Sequence, residues 1–371
     1  MTATMNMLTV NQIDASGVAS RRMAAPTVRD RLAEDKAMLR TAAELTRDLL
    51  KPRPAIYWTD LIASSVIGYG ALFASMTLQS TGWAVAAFVV AVLALYRAAS
   101  FIHEVSHIKH SALPGFRAGW NLLIGVPLLA PSFLYEGVHN LHHQRTKYGT
   151  AEDPEYLPLA HMKPWSVPLF VLVAALAPIG FLIRFGIMVP VGLVSPKLRA
   201  EIDVRFSALA INPDFRRRPL EGEALTLFRR YERLASVWAI SLLALTVAGV
   251  VPLKAFGLYL AAISLLMVVN QVRTLVAHLW ENEGEAMSVT AQYLDSVNVP
   301  PPGMLPFLWA PVGLRYHALH HLLPSLPYHS LGEAHRRLSG VLESASPFHA
   351  ANYRGLPGLL ARLVRGTFGI R

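Results

Sequence analysis

Along the chain, polar stretches alternate with apolar runs, and the runs are long. A transmembrane helix needs roughly 20 consecutive, mostly apolar residues, and runs of that order occupy 56–78, 82–101, 165–194, 234–251 and 253–278. Residues 1–25 carry no such pattern and read as disordered. Residues 26–50 set Val28, Leu32, Leu39, Leu45 and Leu49 at loosely helical spacing among mixed charges, which predicts a surface or interfacial helix. The sequence KPRP at 51–54 ends it, because proline lacks a backbone donor and disfavours helix in the residue before it. A short polar turn, LQSTGW, separates the first two runs, so they form a hairpin that returns the chain to its starting side.

Basic residues orient these runs. Arg21, Arg22, Arg29, Arg31 and Lys36 lie before the first run, and Lys197, Arg199, Arg205, Arg216, Arg217, Arg218, Arg229, Arg230 and Arg233 lie within 195–233. The positive-inside rule places both segments in the cytoplasm. Two crossings precede residue 103, so the run 165–194 must cross twice or not at all. Pro178, Gly180, Arg184, Gly186 and Pro190 interrupt it, which fits a shallow or re-entrant pair of short helices. The runs 234–251 and 253–278 make a second hairpin. The expected fold is an all-α membrane protein of two helical hairpins, about four crossings, with interfacial helices.

Composition agrees with this reading and narrows the chemistry. Hydrophobic residues make up 53% of the chain and charged residues 16%, against roughly 25% charged in soluble domains. The N-terminus MTATMNMLTVNQIDASGV lacks a basic-then-apolar pattern, so no cleaved secretory peptide is expected. The absence of cysteine rules out disulfides, thiolate zinc sites, iron–sulfur clusters and rubredoxin-type iron within the chain. The net charge of +10 reflects loop orientation; no basic, aromatic-interleaved soluble domain exists to bind nucleic acid.

All 14 histidines lie after residue 102, and most fall in three clusters. HEVSH sets His103 and His107 one turn apart on one helix face. HNLHH supplies His139, His142 and His143, and HALHH supplies His317, His320 and His321. With i, i+3, i+4 spacing, one helix can offer ligands to two adjacent ions, and these rings are too many for one. Imidazole suits iron, zinc, copper and nickel. Any one such motif is weak, but three on one membrane face point to metal, since rings held near lipid cost energy unless they bind or pair.

HxxxH, HxxHH and HxxHH around two membrane hairpins resemble the integral-membrane fatty acid desaturase and hydroxylase superfamily over about residues 55–330, and HNLHHQRTKYGTAEDPEY resembles its bacterial desaturase-like branch. The resemblance implies a histidine-rich cytoplasmic cap holding two non-haem irons, with O2 as co-substrate. It also implies that His103, His107, His139, His142, His143, His317, His320 and His321 are ligands. In the acyl-CoA desaturase branch an Asn-x-x-x-His element adds a further histidine and a water-linked asparagine. Here RTLVAHLWEN has His278 in place and Thr274 where the asparagine would stand, so the resemblance makes His278 a ninth ligand and leaves Thr274 outside the pattern. His110 is expected to play a supporting or structural part, and His161, His329, His335 and His349 to be surface or turn residues. Glu104, Glu136, Asp153, Glu155, Glu281 and Glu285 stand where they could accept the second ring proton of a ligand. The expected division is a cytoplasmic segment 1–54, a desaturase-like catalytic domain 55–340 and a cytoplasmic tail 341–371.

Zinc has no accessible redox change, so the resemblance implies iron, and with it removal of hydrogen from an unactivated methylene. Desaturation of a lipid acyl chain to a cis double bond is the first expectation. The alternative is a hydroxylase or ketolase of the same superfamily acting on a lipid, carotenoid or alkane. Apolar residues in 120–133 and 309–314 are expected to line an acyl tunnel. No haem, dinucleotide or flavin motif is present, so electrons are expected from a separate ferredoxin, rubredoxin or haem protein, docked on a basic cytoplasmic face. The expected setting is the bacterial inner membrane, with the metal site facing the cytoplasm. HEVSH also satisfies the HExxH pattern of a zinc protease, a reading that leaves both HxxHH clusters unexplained.

Overall fold

The computed structural model describes residues 35–370, and every regular element among them is helical. The sequence readings for residues 1–34 lie outside the described residues. From the expected surface helix, Lys36–Leu45 is observed: Asp35 caps it by accepting from the Met38 N–H at 2.9 Å, and Met38 and Ala42 are buried. This helix packs on the helix Tyr328–Val341.

Four long helices follow in the chain: α1 (Pro54–Thr77), α2 (Thr81–His107), α3 (Gly222–Val247) and α4 (Leu253–Leu275). Pro54 starts α1 in the first helical turn, where its missing N–H costs nothing. α1 and α2 form the predicted hairpin and approach so closely that a Cβ on Gly68 would sit 2.7 Å from the Leu95 side chain. Within it Arg97 pairs with Asp60 through Nε at 2.7 Å, and the Tyr57 hydroxyl donates to Glu104.

α1, α2 and α4 are long and apolar enough to cross a membrane. α3 differs from expectation. Arg229, Arg230, Glu232 and Arg233 occupy its first half, and the apolar stretch 234–247 spans only about 21 Å of helix against a hydrocarbon core of roughly 30 Å. Nor do α3 and α4 lie side by side as a tight hairpin. Between them runs a pair of helices, Ser166–Ala175 and Ala177–Gly192, bent by 50° at Leu176 next to Pro178. Ser166–Ala175 packs on α4, whereas the π-helical turn Arg184–Met188 packs on α3. The sequence expectation of two short helices holds, and together they are either a broken span or a re-entrant loop.

Ion pairs clamp this bent pair and the helix that follows it, Pro196–Arg205, to α3. Arg184 and Arg199 both reach Glu232 at 2.9 Å, and Arg229 reaches Asp203 at 2.6 Å. Much of the basic stretch 195–233 is therefore bound internally. Beyond α4 the chain folds into a cap over the end of α2, with helices Val289–Asp295, His317–Leu322 and Tyr328–Val341. Residues 347–367 join this cap instead of trailing from it: Phe348, Leu359 and Leu363 are buried, and Asn298 bridges to Asn352.

Candidate metal centre

Four separate stretches deliver histidines to one place. The last turns of α2 carry His103 and His107. A one-turn helix, His139–His142, carries its two end rings, and His143 follows as its cap. His278 stands three residues past α4, held by an antiparallel bridge to Ser296, and the helix His317–Leu322 carries His317, His320 and His321.

The rings sort into two groups: His103, His107, His139, His143 and His320, and then His142, His278, His317 and His321. Within each, the ligand atoms lie within 4.8 Å of one another. In the first group Nε2 atoms are 3.1 Å apart for His139–His143 and His107–His320, and 3.2 Å for His143–His320. In the second they are 3.0 Å apart for His278–His317 and 3.2 Å for His317–His321. Two nitrogens at about 2.1 Å from one ion and at right angles to each other are about 3 Å apart. The spacing is that of neighbouring ligands on a common ion.

The opposite ring edges support the same arrangement. The Nδ1 of His142 faces both oxygens of Asp153 at 3.0 and 2.9 Å, and that of His139 faces Glu155 at 2.9 Å with the Tyr135 hydroxyl 2.8 Å away. His278 Nδ1 lies 2.8 Å from the Tyr148 hydroxyl, which donates to Asp295 at 2.7 Å. An Nδ1 proton directed at an acceptor leaves Nε2 with a bare lone pair, the tautomer a metal requires. His103 is buried with neither ring nitrogen hydrogen-bonded, an arrangement that is costly unless something else binds there. The donor set and its geometry fit a pair of metal ions.

Burial also holds the rings of His139, His143, His278, His317, His320 and His321 well below their ordinary pKa, which keeps them neutral. His142 is the contrast: burial is the largest influence and opposes its charge, but Asp153 with Glu155 and Asp295 behind it together raise it. Burial likewise pushes Glu155 up to about 7 and Asp295 up to about 6.

Of the carboxylates singled out in the sequence, Asp153 and Glu155 are hydrogen-bonded to rings of the two groups, whereas Glu104, Glu136 and Glu281 are engaged elsewhere. Glu104 stands 3.8 Å from His103 Nδ1 and is engaged by the Tyr57 hydroxyl and the Tyr328 N–H, so it is not poised as a protease base. Glu136 accepts from Ser132 and Arg117, and Glu281 pairs with Arg362. The Glu285 carbonyl accepts from Asn282. His110 lies outside both groups, half-exposed and 3.8 Å from Glu136, as do His161, His329, His335 and His349. Thr274 donates to the Asn270 carbonyl of its own helix at 2.9 Å. Sequence reasoning missed Tyr135, Tyr148, Asp295 and Ser296. Tyr135 had a signal, being one helical turn before His139; Asp295 had none.

A cavity of about 920 Å³ opens beside the histidines, with His103, His139, His142, His278 and His317 on its wall. Trp120, Ile124, Leu128, Ala130 and Leu314 line it, within the stretches expected to form a tunnel, while residues 309–313 do not. A large part of its apolar wall comes from the bent pair, through Phe170, Ala174 and Phe181, and from Ile263, Leu266 and Met267 of α4.

Residues 81–352 match the fatty acid desaturase family. The chain is also 46% identical over 333 residues to a ceramide hydroxylase of Caulobacter vibrioides (strain NA1000 / CB15N), an alignment covering 90% of this chain and 95% of that protein.

Proposed function

The chain belongs to the fatty acid desaturase family, and from that premise we propose that it is an oxygen-dependent hydroxylase of a ceramide-class lipid, working through two histidine-bound irons in a membrane. The observation that carries this reading is the convergence of nine imidazoles in two adjacent groups, five of whose rings stand on the wall of a mostly apolar cavity. Between the two outcomes open in the sequence, the ceramide hydroxylase relative favours hydroxylation over desaturation.

Bound irons would supply the redox change and the activation of dioxygen. His103, His107, His139, His143 and His320 would hold one, and His142, His278, His317 and His321 the other. Asp153, Glu155 and Tyr148 fix the orientation of the rings they touch. The cavity takes the hydrocarbon, and its apolar walls keep bulk water from the reacting carbon. In the net reaction one C–H bond becomes C–OH. One oxygen atom of O2 enters the lipid and the other leaves as water, with two electrons and two protons drawn from a donor. That donor is a separate ferredoxin, rubredoxin or haem protein. By the loop-charge argument the centre faces the cytoplasm of a bacterial inner membrane.

Expression in a bacterium that makes ceramide precursors, followed by lipid mass spectrometry, tests the proposal. The expected product has gained the mass of one oxygen atom, and His142→Ala abolishes it. A product lighter by two hydrogens would return the assignment to desaturation.

A further inference from the structure

Among the described residues, the cavity wall carries one cation, Arg273, with no carboxylate in an ion pair with it. Arg184 is paired with Glu232, and Arg205 with Glu201. Arg273, in the last turn of α4, is buried; its Nε makes no hydrogen bond, a terminal nitrogen donates to Asn270 Oδ1 at 3.2 Å, the Tyr96 hydroxyl is its other polar neighbour, and no carboxylate pairs with it. The charge of Glu155 is felt there, but that carboxylate is bonded to Tyr135 and His139. A guanidinium removed from water without a partner is costly, and this one shares its cavity with His278 and His317. Asn270, Gln271 and Thr274 line the cavity in the same turn, so a polar patch interrupts the mostly apolar wall beside the metal centre.

Such a patch serves no purpose for a bare hydrocarbon. A planar guanidinium with free N–H groups recognises oxygen acceptors. We propose that Arg273, steadied by Asn270, donates to an acceptor oxygen carried by the lipid, the amide carbonyl of its N-acyl linkage, and thereby selects a carbon within a few bonds of that carbonyl for oxidation. This rests on the hydroxylase reading and adds regiochemistry to it: the reacting carbon lies near the polar end of the chain, and the remaining hydrocarbon extends along the wall formed by Phe170, Ala174 and Phe181. The carboxylate of a free fatty acid offers the same hydrogen-bonding chemistry, and the experiment separates the two.

Iron-loaded protein in lipid nanodiscs is titrated with N-palmitoyl ceramide, palmitic acid and hexadecane without reductant, so that binding is read in the absence of turnover. The ceramide is expected to bind at least about tenfold more tightly than hexadecane, the worth of one hydrogen bond to a charged group. Arg273→Gln is expected to remove that preference with iron content unchanged, and Arg273→Lys to restore part of it. With reductant added, tandem mass spectrometry should show one hydroxyl position in the wild type and several in Arg273→Gln. Four results overturn the proposal: equal binding of ceramide and hexadecane by the wild type, a preference seen only for palmitic acid, an Arg273→Gln protein with unaltered preference and position, or loss of iron as that variant's main defect. Should the variant fail to fold, the wild-type comparison decides alone. A wild-type product lacking the extra oxygen refutes the hydroxylase reading, while the binding comparison still reports on Arg273.

Discussion

Asp153 sets both carboxylate oxygens within 3.0 Å of the Nδ1 of His142 and is itself 0% exposed. It also accepts from the Gly149 and Glu155 N–H groups, each at 2.8 Å, so the ring, the carboxylate and the loop are locked together. Loss of such a partner typically weakens a metal site by about 10–100-fold. Asp153→Ala should therefore release metal from the four-histidine group under mild chelation, measured as iron per chain, with the first group retained. Asp153→Asn, whose amide oxygen still accepts, should lose less. Full retention in Asp153→Ala would show that the carboxylate does not hold the ring.

Gly149 makes that loop possible. Its φ of +69° lies in the left-handed region, and an added Cβ would stand 2.5 Å from Asn282 Nδ2, which donates to the Gly149 carbonyl at 2.9 Å. Gly149→Ala should cost about 1–3 kcal/mol and lower Tm, with partial metal loss because Asp153 shifts. An unchanged Tm would place the strain elsewhere.

Acid should destabilise the metal-free protein. His139, His143, His278, His317, His320 and His321 have pKa values depressed by burial. As pH falls below the ordinary histidine value of about 6.5, the unfolded chain takes up protons that the folded chain refuses, on the order of 1.4 kcal/mol per pH unit for each ring. His142, raised by Asp153, works in the opposite direction: its contribution is present below about 6.5 and is lost as pH rises. The six depressed rings prevail, so Tm after chelation should fall steeply between about pH 6.5 and 5. Metal-loaded protein should resist over the upper part of that range. A flat profile would contradict the burial of these rings.

Thr274 stands where the related pattern has asparagine, yet its hydroxyl is spent on the Asn270 carbonyl. Thr274→Val should leave iron per chain unchanged and move stability by no more than about 1 kcal/mol. Selective loss of one metal would show that the hydroxyl turns toward the centre.

The three histidine clusters stood out in the sequence because helical periodicity sets which of their rings share a face, whereas His278, which lies past the end of α4, was pointed to by the family resemblance. His142 and His143 are adjacent in the chain yet join different groups, as the rotation between consecutive helical positions requires. The α1–α2 hairpin was legible for a similar reason, two apolar runs joined by a short polar turn. What stayed hidden depends on residues distant in sequence. Tyr148 and Asp295 meet at His278 across nearly half the chain, and the wedge between α3 and α4 is anchored when its Arg184 finds Glu232. A one-dimensional hydropathy pattern carries neither fact. The choice between desaturation and hydroxylation likewise depends on where a substrate carbon lies, which ligand spacing does not encode.

Because the four-ring group draws His278, His317 and His321 from late in the chain, it has a single ring until α4 and the cap have been synthesised. Metal capture at this group must therefore follow synthesis of α4 and the cap, later than that of the α1–α2 hairpin. Metal supplied to chains made without it should therefore be taken up without new translation, read as metal bound per chain.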